Sequence, residues 1–307
     1  MTGKILYVLL AHANFEQTMR LFDRLDRGEV SFVFHISQTC EPQFFEKIFD
    51  ALKDRSNCYF ARRAYVRWGD FGMVQGVLNA IDTICENQLD FDYAILLSGQ
   101  DYPLKSHQTI CQTFDRSDKK QFLEVISFDT IKQELAYRIE TYHIWLGKRH
   151  FWFPYQNKNN LLATITNLII SLGLFKKQKP PHGYTPYKGS FWWNLTKDCI
   201  YYIHQHIHSK IGRDLIKFFE HTNHSGESYF QTILMNSKYK DKIVNKDFRF
   251  VLWLDPDKDK GHPILLTTQY FNDIASTECL FGRKFDMKVD AAILDQIDKI
   301  ILAPPKN

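Results

Sequence analysis

Along the first 130 residues of this 307-residue chain, short runs of consecutive apolar residues alternate with stretches in which apolar positions recur every three or four. The runs Ile5–Leu10, Ser31–Ile36, Cys58–Phe60 and Tyr93–Leu97 have the length of buried strands, while Phe15–Leu25, Pro42–Lys53 and Phe71–Cys85 carry helical spacing. Alternating β and α units predict an α/β fold with a mainly parallel central sheet flanked by helices. In such sheets ligands gather outside the carboxyl ends of the strands. The loops after Leu10, Ile36 and Leu97 are therefore candidate site walls: Ala11–Asn14, Ser37–Thr39 and Ser98–Asp101.

From about 131 to 190 the alternation gives way to an aromatic-rich insertion with Tyr137, Tyr142, Trp145, Phe151, Trp152, Phe153 and Tyr155. An apolar helix, Leu161–Phe175, follows, shorter than the ~20 residues needed to span a bilayer. It reads first as a helix packed on the core. A second reading, a membrane-surface helix beside Lys176, Lys177 and Lys179, would bring the chain to the inner face of a membrane. Residues 1–307 read as one domain: a first half over 1–130, the insertion over 131–190 and a second half over 191–307.

Composition adds limits rather than a function. With 44% hydrophobic, 24% charged and 15% aromatic residues the chain is globular, not disordered or fibrous. A formal charge of +4 is too small to imply a nucleic-acid partner, though it suits a small anionic substrate. Cys40, Cys58, Cys85, Cys111, Cys199 and Cys279 lie far apart without a CxxC pair, as reduced and mostly buried thiols do. The apolar stretch at the start is one strand long, which argues against a signal peptide or membrane anchor and for a cytoplasmic protein.

Phosphate-loop, dinucleotide and nucleophile-elbow motifs are missing. Asp90-Phe91-Asp92 has the spacing of a metal-holding carboxylate pair, but it precedes its strand and so sits at the end opposite the expected site. Asp255, Asp257 and Asp259 begin like a calcium loop whose twelfth position is Leu266 instead of a bidentate glutamate. His204, His206 and His208 would share a face on a strand and scatter on a helix, and read as a surface cluster rather than a metal site. No metal is expected.

Three stretches keep a chemical meaning. Arg62–Gly72 gathers arginines, Trp68 and glycines before a long helix, an arrangement that suits an anion. Leu96–Lys105 is a core strand ending in a polar turn with Asp101. In Lys188–Leu195 the adjacent Trp192 and Trp193 suit stacking against a sugar. Glu227, in His224–Phe230, opens an apolar helix, where it reads first as a structural N-terminal carboxylate and second as a general base tuned by the helix.

The motifs Tyr7–His12, Val66-Arg67-Trp68-Gly69, Leu96–Leu104, Gly189–Trp193, Ser225–Phe230 and Leu280–Asp286 stand in an order and spacing that cover most of the chain. In them the chain resembles a bacterial member of the core-2/I-branching β-1,6-N-acetylglucosaminyltransferases, glycosyltransferase family 14, which also holds the peptide O-xylosyltransferases. The resemblance implies a GT-A nucleotide-binding sandwich whose first half binds the nucleotide sugar and whose second half holds the acceptor and the catalytic groups. It also implies metal-free inversion with no cofactor. By motif, Glu227 is the base and Arg249 and Lys284 clamp the diphosphate; His12, Arg67 and Asp101 are expected near the nucleotide, and Trp192 and Trp193 as part of the acceptor wall. The expected donor is UDP-N-acetylglucosamine, with UDP-xylose as alternative, and the expected acceptor a glycan or lipid-linked glycan. Where relatives often carry His-x-Asp, this chain reads His35-Ile36-Ser37, without the carboxylate expected near the nucleoside. A glycan-binding relative without turnover is the rival from another class. It has no need of a base beside a phosphate clamp.

Overall fold

The computed structural model describes residues 3–127, 137–146, 149–153, 177–253 and 263–302, with five positions between 164 and 172. The turn 255–259 and most of the apolar stretch 161–175 fall outside the described residues.

Strands β1 (Ile5–Ala11), β2 (Val30–Ile36), β3 (Cys58–Phe60) and β4 (Tyr93–Ser98) and helices α1 (Phe15–Leu25), α2 (Pro42–Leu52) and α3 (Gly72–Glu86) form where the periodicity places them. They are followed by β5 (Asp101–Pro103), β6 (Gln121–Leu123), β7 (Ile126–Ser127) and the hairpin β8 (Tyr142–Leu146) and β9 (Arg149–Phe153). The chain continues through β10 (Tyr187–Lys188), β11 (Trp193–Thr196), β12 (Ile243–Val244), β13 (Arg249–Val251) and β14 (Phe281–Arg283). The central sheet runs β12-β6-β11-β4-β1-β2-β3, with β3, β2, β1 and β4 parallel and β11 antiparallel to both its neighbours.

The apolar run of β1 is continuous because both its faces are covered. Leu6 and Val8 join one core with α3 and the helix Lys197–His208. Ile5, Tyr7 and Leu9 join a second core with α1, α2 and the helix His107–Asp115. Strand side chains alternate in direction, so one strand feeds two layers. Each fully buried Leu, Ile or Phe contributes on the order of 1.5–3 kcal/mol. All six cysteines are free, with Cys58, Cys111 and Cys199 buried.

A smaller sheet, β13-β14-β5, crosses the carboxyl ends of the main strands. Its register sets Arg249 beside Phe281 and Arg283 opposite Asp101. Among the described residues no helix is long and apolar enough to cross a membrane.

Candidate active site

A cleft of about 840 Å³ opens at the carboxyl ends of β1, β2 and β4, lined there by His12, Ser37, Thr39, Ser98 and Gln100. The position follows from parallel topology: strand ends and helix starts converge there and leave the crevice unfilled. Asp90 and Asp92 lie at the other end, where Asp90 pairs with Lys4 at 2.8 Å and Lys197 at 2.9 Å, and Asp92 accepts the Lys4 amide.

One wall carries an excess of buried positive charge. Arg249 and Arg283 are only 7% and 8% exposed, and Lys284 beside them also lines the cleft. Arg249 Nη2 donates to Leu96 O at 2.6 Å and Nη1 to Asp247 O at 3.1 Å, which leaves Nε without a hydrogen-bond partner among the described residues. Arg283 stacks on the Trp192 ring at 4.1 Å, and its Nε and Nη1 have no hydrogen bond among the described residues. Its nearest counter-charge is Asp101 Oδ1, 3.5 Å from Nη1. Burial holds Arg249 and Arg283 below their ordinary pKa, and burial followed by the Arg283 charge does the same to Lys284. Two buried guanidiniums with spare donors, matched by Asp101 and Asp247, together with a part-buried lysine beside them, suit an anion.

Glu227 ends the 3-10 turn Ser225–Glu227. Gly189 N–H donates to Glu227 O at 2.8 Å, and a Cβ on Gly189 would stand 1.8 Å from Glu124 O, so the strap Lys188–Ser190 lies flat across the turn only as glycine. The Glu227 carboxylate accepts from Arg138 Nη1 at 2.8 Å, with Lys188 Nζ at 3.5 Å, and its side chain stays 36% exposed. Two cations thus hold a reachable carboxylate in place and aimed. Behind it, His224 is left-handed at φ 53°, edge-on to Trp68 at 4.5 Å, with its pKa lowered first by burial and then by Arg138. Glu124 also lines the cleft, with its pKa raised by burial and Asp247.

On the strand-end side, burial and then Lys284 lower the His12 pKa, so the imidazole is neutral near pH 7. Ser37 is buried with its hydroxyl 2.7 Å from Thr39 Oγ1. Arg67 pairs with Asp70 at 3.1 Å, and Asp70 Oδ1 accepts the Gly72 amide at the head of α3.

The structure thus brings Glu227, Arg249, Lys284, His12, Arg67 and Trp192 to one cleft. Two expectations need correction. Trp193 is wholly buried against Phe230 at 5.9 Å and forms core, not acceptor wall, because as the first residue of β11 it is taken into the sheet while Trp192, one residue before the strand, stays at the cleft. Asp101 is wholly buried and absent from the lining: the turn folds its carboxylate back onto the Ser98 amide, where it is a counter-charge beneath the two arginines. Trp192 does line the cleft, but with Arg283 over its ring it is a guanidinium platform. Among the described residues, the lining's aromatic rings open to solvent are Trp68, 69% exposed, and Trp253, 62% exposed.

Sequence reasoning assigned no role to Arg283, Arg138, Lys188 or Glu124. Adjacent basic residues ending a short strand were a usable signal for Arg283. Arg138 gave none, since it reaches Glu227 from the insertion, 89 residues away.

The core-2/I-branching enzyme family model matches residues 5–275, and the chain belongs to that family of glycosyltransferases. It is similar to the β-glucuronosyltransferase GlcAT14B of Arabidopsis thaliana, 25% identical over 75% of this chain and 48% of that protein. Xylosyltransferase oxt of Drosophila melanogaster is 20% identical over 94% of this chain and 32% of its own length. The mouse N-acetyllactosaminide β-1,6-N-acetylglucosaminyl-transferase is 21% identical over 92% of this chain and 68% of its own length. The chain thus spans about half the length of the Arabidopsis relative and a third of the Drosophila one. Among solved structures, the mannosyltransferase Ktr4p of S. cerevisiae aligns with a TM-score of 0.33 at 10% identity, over 74% of this chain and 65% of that one.

Proposed function

We propose that this protein transfers a sugar, N-acetylglucosamine foremost, from a UDP-sugar to a glycan hydroxyl with inversion and without a catalytic metal. The observation that carries the reading is the union, in one cleft, of a reachable carboxylate with two buried arginines that keep spare donors and a lysine beside them. The acceptor hydroxyl loses its proton to Glu227 as its oxygen bonds the anomeric carbon. The bond from that carbon to the β-phosphate oxygen breaks on the opposite face, and UDP leaves. One base and no enzyme nucleophile suffice for such a displacement.

Negative charge grows on the departing diphosphate, and Arg249 and Arg283 meet it with donors already desolvated and fixed, with half-buried Lys284 beside them. A preorganised donor of this kind contributes about 2.7–4 kcal/mol to the transition state. That is the work a Lewis-acid metal performs elsewhere. Arg138 and Lys188 position the base, and Trp68 and Trp253 offer sugar-stacking faces at the mouth.

The test is UDP release from UDP-N-acetylglucosamine, UDP-xylose and UDP-glucuronate with a glycan mixture, with and without EDTA, for wild type and Glu227→Gln. EDTA-resistant release from one donor, reduced at least ~10²-fold in the variant, is expected. Tight UDP binding with no release from any donor would point instead to a glycan-binding relative.

A further inference from the structure

Outside the cleft, the structure assigns a second site: we propose that Asp82, His204 and His208 bind a divalent transition-metal ion, Zn²⁺ foremost, which clamps α3 to the helix Lys197–His208. The alternating histidines lie on a helix, and a helix scatters them incompletely. His206 turns inward, stacked on Tyr202 at 5.9 Å, while His204 and His208, four residues apart, share a face with their ring centroids 4.7 Å apart.

Both rings aim the same atom at the same oxygen. His208 Nε2 lies 3.0 Å and His204 Nε2 3.6 Å from Asp82 Oδ1, and the three atoms all fall within 4.8 Å of one another. A tetrahedral zinc ion with bonds of about 2.0–2.1 Å places its ligand atoms about 3.4 Å apart. The two Asp–His separations bracket that value and the two Nε2 atoms lie no more than 4.8 Å apart, a gap that rotation of the side chains would close.

The two helices are already locked together by Ile81, Ile84, Ile200, Ile203 and Ile207 of one buried core. Two imidazoles and one carboxylate suit Zn²⁺, Co²⁺, Ni²⁺ or Cu²⁺, whereas Mg²⁺ and Ca²⁺ take oxygen ligands. The partial exposure of all three leaves a fourth position for water. None of the three residues lines the cleft, so the ion is a clamp and the transfer chemistry does not pass through it.

Tag-free, chelator-stripped protein titrated with ZnCl₂ tests the site by calorimetry and thermal melting. One equivalent bound and a raised Tm are expected, with affinity reduced at least ~10-fold in Asp82→Asn and in His204→Gln/His208→Gln. His182→Gln, which breaks the separate His182–Asp214 pair at 2.8 Å, should bind as wild type does. His208→Cys keeps a donor atom and should show thiolate-to-metal charge transfer when loaded with Co²⁺, a signature that an imidazole–carboxylate pair alone has no means to produce. Absence of uptake at ~10-fold excess Zn²⁺, or full uptake by the Asp82 and double-histidine variants, overturns the site.

Discussion

Replacing Lys284 with methionine separates what the cationic wall does for the reaction from what it does to the fold. The ammonium is half-buried and its pKa is lowered, first by burial and then by Arg283 beside it. A base whose folded pKa lies below its unfolded value binds fewer protons folded than unfolded. Its charge therefore destabilises the fold below the folded pKa, and stability recovers as pH rises through it. At pH 7 to 8 the penalty is present, and Lys284→Met removes it while keeping the aliphatic stem. The free variant should melt at or above the wild-type Tm. Under the proposed function the reaction loses one of the three cations that face the departing diphosphate, and loss of one preorganised donor costs about 10²–10³-fold in turnover. Steady-state UDP release and melting with and without UDP give both numbers. A titration of the His12 ring by NMR adds a third readout, because Lys284 lowers the His12 pKa and its removal should raise it. A Tm several degrees below wild type would refute the burial penalty, and turnover within about threefold of wild type would refute the assignment of Lys284 to the leaving diphosphate.

Arg138→Ala frees Glu227 from its 2.8 Å partner and should lower kcat about 10-fold with donor KM unchanged, Arg138→Lys restoring part of it. Since Arg138 also lowers the His224 pKa, the same change should raise that value in an NMR titration. Trp193→Ala should destabilise the protein by about 3–5 kcal/mol in urea melts without a selective change in donor KM. Trp192→Ala, which removes the platform under Arg283, should raise donor KM at a smaller loss of stability. Gly189→Ala drives a Cβ into the Glu124 carbonyl and, by shifting the strap bonded to Glu227, should cut transfer more than 10-fold even where circular dichroism shows a fold.

Much of the scaffold was legible because it rests on local pattern. The unbroken apolar run of β1 marks a strand covered on both faces, and the order of strands and helices sets their carboxyl ends toward one crevice. The position of Asp90 and Asp92 before β4 was enough to place them at the far end. Glu227, Arg249 and Lys284 were picked out by motif, and the structure brings all three to one cleft.

What the chain alone left open were pairings across sequence. Whether Asp101 faces a ligand or an arginine depends on β14 lying antiparallel to β5, a choice of sheet order that neither segment encodes by itself. Which of two adjacent tryptophans meets the cleft depends on the register of β11, and the partner of Glu227 comes from a distant insertion. The histidines of the helix Lys197–His208 acquire a common target only because α3 packs beside them with Asp82 facing their rings. Periodicity reports how each residue stands toward the core. Charge pairs form between whichever elements the closed sheet makes neighbours, so the tertiary structure decided them.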